Sequence, residues 1–370
     1  MLSRSSSIKV FRFENADREE AAAFMAREMR GDSSPEEWLG RFSQWWDRNP
    51  HAPADWPRGC VLRCGDRIVG MHAWIPLTYA IGGEIHTACA GSSWCVEPEF
   101  RAYSFSMALR FKSAPADILV ASSAIPAVRK VLKVLHFTRV RPMSEVIFGR
   151  TLDHAALAKL MAARRGAPAL FRRAAGLIAP LMTILPDLLA RRSVAPAAPT
   201  ALDCVVVDHL DPGFDQLWQE LRNHHPSLLV RDASSMSWYA FDPAVRGRRM
   251  LITCRDRAGR WLGYALFNIY RESGVEGKRA SLIDMIVHPH APNAIHAIVN
   301  TAARAASERR LWQIDFHASD ELQLRQLQQT RLRPRNGSRD LFIFVRRGLS
   351  NRVRPEQFFL TGLDGDGGLN

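Results

Sequence analysis

No C-x-x-C pair occurs anywhere in this 370-residue chain. Its absence removes zinc ribbons and thioredoxin-like redox chemistry from the candidate functions. The cysteines present, Cys60, Cys64, Cys89, Cys95, Cys204 and Cys254, lie inside apolar runs that read as strands. A thiol in that setting is a small packing group. Apolar runs long enough to span a bilayer are also missing. The longest, LIAPLMTILPDLLA at residues 177–190, is short for a span and holds Pro180, Pro186 and Asp187. Residues 1–7 are polar and carry no apolar leader. Reduced thiols without a leader set the expectation of a cytoplasmic protein. No RNP motif, zinc finger or helix-turn-helix pattern appears, so nucleic acid has no support beyond charge.

What is there is the balance of an ordered globular chain, 47% hydrophobic and 24% charged. Its length is enough for two domains of ordinary size. Lys and Arg outnumber Asp and Glu by 50 to 37, a net charge of +13. Such an excess favours anionic partners: nucleotide phosphates, acidic lipid headgroups or nucleic acid.

Along the chain, residues 8–13 alternate like a first strand, and residues 16–29 follow as a helix. Ser34 and Pro35 make a helix start. That helix carries Trp38, Phe42, Trp45 and Trp46, read as core or as one wall of a pocket. A meander follows: strands at 60–64, 67–81 and 85–96, with turns at Gly65-Asp66 and Gly82-Gly83. Pro76 marks a bulge or bend. Helix 104–112, strand 117–122, helix 126–135 and a strand or strand pair over 138–148 complete the unit. Residues 151–200 turn to Ala, Arg, Leu and Pro, a helical linker. Its basic stretch 164–192 reads either as a helix packed across the domains or as a segment lying on an anionic membrane.

From Leu202 the pattern begins again, with strands at 203–207, 250–255, 261–270, 280–287, 311–316 and 340–345 and helices at 211–223, 292–309 and 319–329. CVLRCGDRIVGMHAW at 60–74 matches LITCRDRAGRWLGYALF at 251–267, so Gly70 corresponds to Gly263. CVEP at 95–98 matches IVHP at 286–289. A meander followed by helix, strand, helix and strand is a mixed α/β plan, and here it is duplicated. The expected domains are 8–149, 201–348, a linker at 150–200 and a tail at 349–370, whose end TGLDGDGGLN at 361–370 reads as mobile.

The informative stretch is Trp94-Cys95-Val96-Glu97-Pro98-Glu99-Phe100-Arg101-Ala102-Tyr103-Ser104-Phe105-Ser106. A strand ends, a proline turn follows, and a helix starts at small residues after an arginine. The start of a helix offers backbone N–H groups and a positive dipole end to a pyrophosphate. Small residues let the backbone approach, and Arg101 adds charge-assisted hydrogen bonds.

This stretch resembles the V-x-P-x-x-R-x-x-G-x-G/A motif of the acyl-CoA N-acyltransferase (GNAT) superfamily. Pro98 and Arg101 match, and Ser104 and Ser106 stand in place of the glycines. Leu135-His136-Phe137 occupies the place of the family's LGF. The resemblance covers residues 8–149 and, more weakly, 203–346. It implies two tandem GNAT-like α/β (α+β, mixed-sheet) domains joined by a helical linker, with acetyl-CoA or another acyl-CoA as co-substrate and no metal. The implied cofactor contacts are Cys95, Val96, Arg101, Ala102, Tyr103, Ser104, Phe105, Ser106 and Ser123. The implied reaction is attack of a small-molecule amine, such as an amino sugar or amino acid, on the thioester. Leu132 stands where many members carry a tyrosine acid, which leaves Ser92, Ser93, Glu84 and Tyr103 as candidate catalytic groups. Glu97 and Glu99 read as solvated turn residues.

The second copy lacks the phosphate motif: after Val287-His288-Pro289 comes His290-Ala291-Pro292-Asn293. A lone His-Pro-His does not make a metal site. The ending FFLTGLDGD at 358–366 resembles that of tandem members associated with bacterial cell-surface polysaccharide loci. Asp364 and Asp366 there read either as amine-binding groups or as an acidic tail in solvent. Two further readings stay open: a scaffold whose cofactor sites have decayed, and a membrane-surface enzyme using acyl carrier protein as donor.

Overall fold

The computed structural model describes residues 7–29, 33–122, 124–140, 146–164, 202–272, 277–337, 341–365 and 369. Ser123, Asp366 and all but the first residue of the basic stretch 164–192 lie outside them. The chain divides into two compact units that are not contiguous in sequence. The first comprises residues 1–142, 218–246 and 339–370, the second 143–217 and 247–338.

The first unit is built on a nine-stranded sheet. Its strands are β1 (Ile8–Arg12), β2 (Gly59–Cys64), β3 (Arg67–Ile81), β4 (Glu84–Val96), β5 (Ile118–Ser122), β6 (Thr138–Val140), β9 (Ser227–Leu229), β15 (Leu341–Val345) and β16 (Phe358–Phe359). The main order is β1-β2-β3-β4-β5-β15-β6, with β9 on the far end of β3 and β16 on β9. β4 and β5 are parallel, and β15 runs antiparallel between β5 and β6. Gly82 and Gly83, at φ +56° and +85°, supply the positive-φ turn that closes the β3–β4 hairpin. Pro76 is not a bend: it pairs in register with Cys89. Its other edge falls between the last β2 partner, Ala73, and the first β9 partner, Tyr79, where no ladder needs its missing N–H.

Helices α1 (Arg18–Glu28) and α2 (Pro35–Phe42) follow β1. Ser34 and Glu37 cap α2 reciprocally, through Glu37 N–H to Ser34 Oγ at 3.3 Å and Ser34 N–H to Glu37 Oε2 at 3.2 Å. Trp38, Phe42, Trp45 and Trp46 are buried and in mutual ring contact. α3 (Ser104–Lys112) and α4 (Pro126–Val134) pack Met107, Phe111 and Leu132 on the opposite side, against Leu62, Trp74, Leu119 and Phe342.

The second unit has a seven-stranded sheet. Its strands are β7 (Val146–Thr151), β8 (Asp203–Val207), β10 (Arg249–Arg255), β11 (Trp261–Arg271), β12 (Lys278–Val287), β13 (Gln313–His317) and β14 (Arg333–Asn336). The order is β14-β7-β13-β12-β11-β10-β8. α8 (Ala294–Glu308) lays Ile295, Ile298 and Ala302 on the core of this sheet, after α5 (His154–Arg164), α6 (Phe214–Leu221) and α7 (Ala233–Phe241) in the chain.

The 138–148 stretch therefore does not close the first unit. Thr138–Val140 joins the first sheet and Val146–Thr151 the second, while the last long strand of the chain, β15, fills the place beside β5. Ser227–Leu229 and α7, unforeseen in sequence, belong to the first unit. The tail is packed where it is described. Phe358–Phe359 pairs with β9, and Leu363 and Asp364 are buried.

Candidate active site

The site begins with a parting of two strands. β4 and β5 pair from Ala88↔Ile118 to Gly91↔Ala121 and no further. β4 continues along β3 to Gly70↔Val96. From Ser93 to Val96, the edge of β4 turned toward β5 has no strand partner among the described residues. A cleft at the carboxyl ends of parallel strands is where open α/β sheets bind ligands.

A bulge shapes that edge. Met71 pairs with Cys95 and Ala73 with Ser92, so the single residue His72 faces both Ser93 and Trp94. Ser93 sits at φ +51°, a conformation uncommon for a residue with a side chain. His72 is buried beneath, its ring 5.1 Å from Trp94 and stacked at 18°, and 4.9 Å from Phe111. Burial pushes its imidazole down to about 3, so it is neutral. Gly91 at the last paired rung leaves room for the two rings. A Cβ there would lie 2.8 Å from His72 Nε2 and 3.0 Å from Phe111 Cζ.

Beyond Val96 the chain winds through a 3-10 turn, Pro98–Tyr103, straight into α3. Arg101, Ala102, Tyr103, Phe105 and Ser106 are exposed and Ser104 is half-buried. No acidic residue stands in the first turn of α3, and no side chain caps it. This helix start is exposed and has Arg101 beside it, while the Ser104 N–H already donates to the Arg101 carbonyl. Cys95 is half-buried. Burial and Glu28 push its thiol up and Arg101 opposes them, which brings Arg101 near the end of β4. The loop is anchored by Glu97, which is buried rather than solvated. Its carboxylate accepts from Arg27 Nη2 at 2.9 Å and Arg67 Nη1 at 2.5 Å, tying the loop to α1 and β3.

The other candidates divide. Ser92 and Ser93 meet at the bulge, their hydroxyl oxygens 3.3 Å apart and buried. Glu84 stands at the opposite end of β4, exposed and paired with Arg352 at 2.6 Å, out of reach of the bulge. Ser123 falls outside the described residues. Leu132 is buried in the core.

Two neighbours of the cleft were not foreseen. One is His72. The other is the tail: Gly365, at φ +88°, approaches the end of β5 so closely that a Cβ would lie 2.5 Å from Ser122 Oγ. Asp364 fixes it there. Asp364 accepts from the Tyr79 hydroxyl and from Thr361 N–H at 2.7 Å, and Arg231 Nη2 lies 3.9 Å away. Asp364 is thus a buried anchor and not an acidic group in solvent.

The second unit repeats the parting of strands without the phosphate motif. β12 leaves β13 after Ser281↔Asp315, and Ile283 is the extra residue opposite Leu266 and Phe267. Gly263 pairs with Val287, as Gly70 pairs with Val96. His288 and His290 have ring centroids 5.1 Å apart. Among the described residues, no group of three His, Cys, Asp or Glu is placed to hold a metal ion, and no helix is long and apolar enough to cross a membrane.

No protein-family model and no curated protein sequence matches the chain. Solved structures do. An N-myristoyltransferase of Saccharomyces cerevisiae with bound myristoyl-CoA is similar over 93% of this chain and 80% of its own, at 12% identity and a TM-score of 0.55. A GCN5-related N-acetyltransferase of Anabaena variabilis is similar over 92% and 73%, at 12% identity and 0.56. A probable N-acyltransferase of Enterococcus faecalis is similar over 92% and 72%, at 8% identity and 0.56. Together with the parted, bulged fourth strand, these likenesses establish that the chain has the fold of the GCN5-related N-acyltransferase superfamily.

Proposed function

We propose that the first unit transfers an acyl group from acyl-CoA to a small-molecule amine. The observation that carries this reading is the bulged end of β4, parted from β5 and leading through the exposed Pro98–Tyr103 turn with Arg101 into α3. The pyrophosphate would rest on α3 and Arg101, with the thioester beside Ser92 and Ser93. The amine nitrogen attacks the thioester carbon, the C–N bond forms, and the C–S bond breaks. Backbone N–H groups on a free strand edge are suited to hold the developing oxyanion. The proton lost by the amine goes to water or to a group at the bulge, and the leaving thiolate takes up a proton. Cys95 is kept as the thiol by burial and Glu28, which disfavours an acyl-cysteine intermediate and supports direct transfer.

The serines in place of glycines support a second reading, a binding protein without catalysis. An amino sugar or amino acid acceptor and a cytoplasmic setting remain proposals of the sequence. Assaying release of free CoA thiol with a panel of amines separates the two readings. Ser93→Gly, which tolerates the positive φ, keeps the activity. Ser93→Val, whose branched side chain opposes it, lowers kcat by about tenfold or more. No turnover with any amine would sink the enzymatic reading, and equal activity of the two variants would remove the bulge at Ser93 from the site.

A further inference from the structure

Exposed apolar side chains gather on the two helices that start beside the cleft. Phe105 on α3 is 41% exposed and Leu109, one turn further, 48%. Ile125, the residue before α4, is 62% exposed. The same part of the chain carries charge of almost one sign. Residues 101–142 hold eight Lys or Arg and one acidic residue, Asp117. That carboxylate is already bound by the amide and hydroxyl of Thr87, at 3.1 and 2.9 Å. Arg101, Arg110, Lys130 and Lys133 are exposed, and none forms an ion pair with a described residue.

A phosphate held at the two helix starts accounts for Arg101. It does not account for Arg110 or Lys133. These lie six and seven residues beyond Ser104 and Pro126, roughly 9–10 Å along their helices. They flank exposed leucine and valine side chains, Leu109 and Val134. Uncompensated cations interleaved with apolar residues match an acidic protein surface with an apolar stripe.

We propose that the α3–α4 face docks an acidic acyl carrier protein, whose phosphopantetheine arm delivers the acyl thioester into the cleft. This rests on the acyl-transfer reading. The bond changes are those given above, with the carrier's thiol as the leaving group. Acyl-CoA reaches the same cleft without touching Arg110 or Lys133.

The test compares intact wild type with an Arg110→Glu/Lys133→Glu double variant. Binding of holo acyl carrier protein is titrated, and transfer from acyl carrier protein is measured against transfer from the matching acyl-CoA. Holo-carrier binding is expected to weaken as salt rises and to fall about tenfold or more in the variant. The KM for acyl-carrier donor should rise in step, while the KM for acyl-CoA stays within about twofold. Wild type that does not bind the holo carrier, or a variant that changes both donors equally, overturns the proposal. So does loss of binding to phosphatidylglycerol vesicles in the variant with carrier kinetics unchanged. Carrier binding without transfer from either donor would leave the docking surface standing and remove the acyl-transfer reading.

Discussion

His51, His72 and His225 are held neutral in the first unit. Burial pushes His51 and His225 down to about 4 and His72 to about 3. Asp232 opposes the shift at His51, and Arg231 adds to it at His225. In the unfolded chain each titrates near the ordinary histidine value of ~6.5. Below that value the unfolded chain binds protons that the native chain does not, so stability falls as pH falls from ~6.5 toward 4 and is level above ~7. At pH ~5 the fully buried His72 costs about 2 kcal/mol relative to pH ~7. The urea midpoint is expected to drop over that interval, and His72→Gln to flatten the dependence. A midpoint unchanged between the two pH values in wild type would contradict this. The sequence shows His72 only as one polar residue in an apolar strand. Its place opposite the bulge comes from a register shift that no residue type announces, since Ser93 takes the positive φ that a glycine would have flagged. The run Gly91-Ser92-Ser93, small residues inside an apolar strand, was the available sign.

Among elements, the tail departs most from its sequence pattern. TGLDGD is rich in glycine and aspartate, the composition of a solvated end, yet Asp364 is buried with Tyr79, Thr361 and Arg231 around it. Long-range partners decide its environment, and composition cannot supply them. Asp364→Asn removes a charge partner of Arg231, which is itself 1% exposed. The expected loss is about 3 kcal/mol of stability, read by urea denaturation. A loss below ~1 kcal/mol would mean that the other partners of Arg231, the Leu229 carbonyl and Thr361 among them, suffice for it. Glu97 makes the same point on a smaller scale: its turn was legible, its two arginine partners were not. By contrast, α3 was legible from end to end. Its apolar spacing and small-residue start are local properties, and they are what set a helix after a strand.

At the scale of the molecule, the duplication was legible because it is written in paired strings. Gly70 and Gly263 each face the last residue of the bulged strand, Val96 and Val287. The exchange of strands was not. β7 and β15 are ordinary apolar strands, and hydrophobic pattern does not say which sheet will receive them. The exchange carries a consequence for folding. A fragment of residues 1–149 lacks β15, the strand between β5 and β6, and exposes the edge of β5. Such a fragment is expected to be unfolded or aggregated alone. Dispersed amide resonances from the isolated fragment would show that β15 is dispensable.

The central claim is that the end of β4 and the start of α3 form an acyl-CoA site. Isothermal titration of the intact chain with acetyl-CoA and with a long-chain acyl-CoA tests it most directly, with Arg101→Glu as the comparison. The account predicts saturable binding at one site per chain, weakened about tenfold or more by the substitution. Absence of binding by either ligand, or equal binding by wild type and Arg101→Glu, would contradict it.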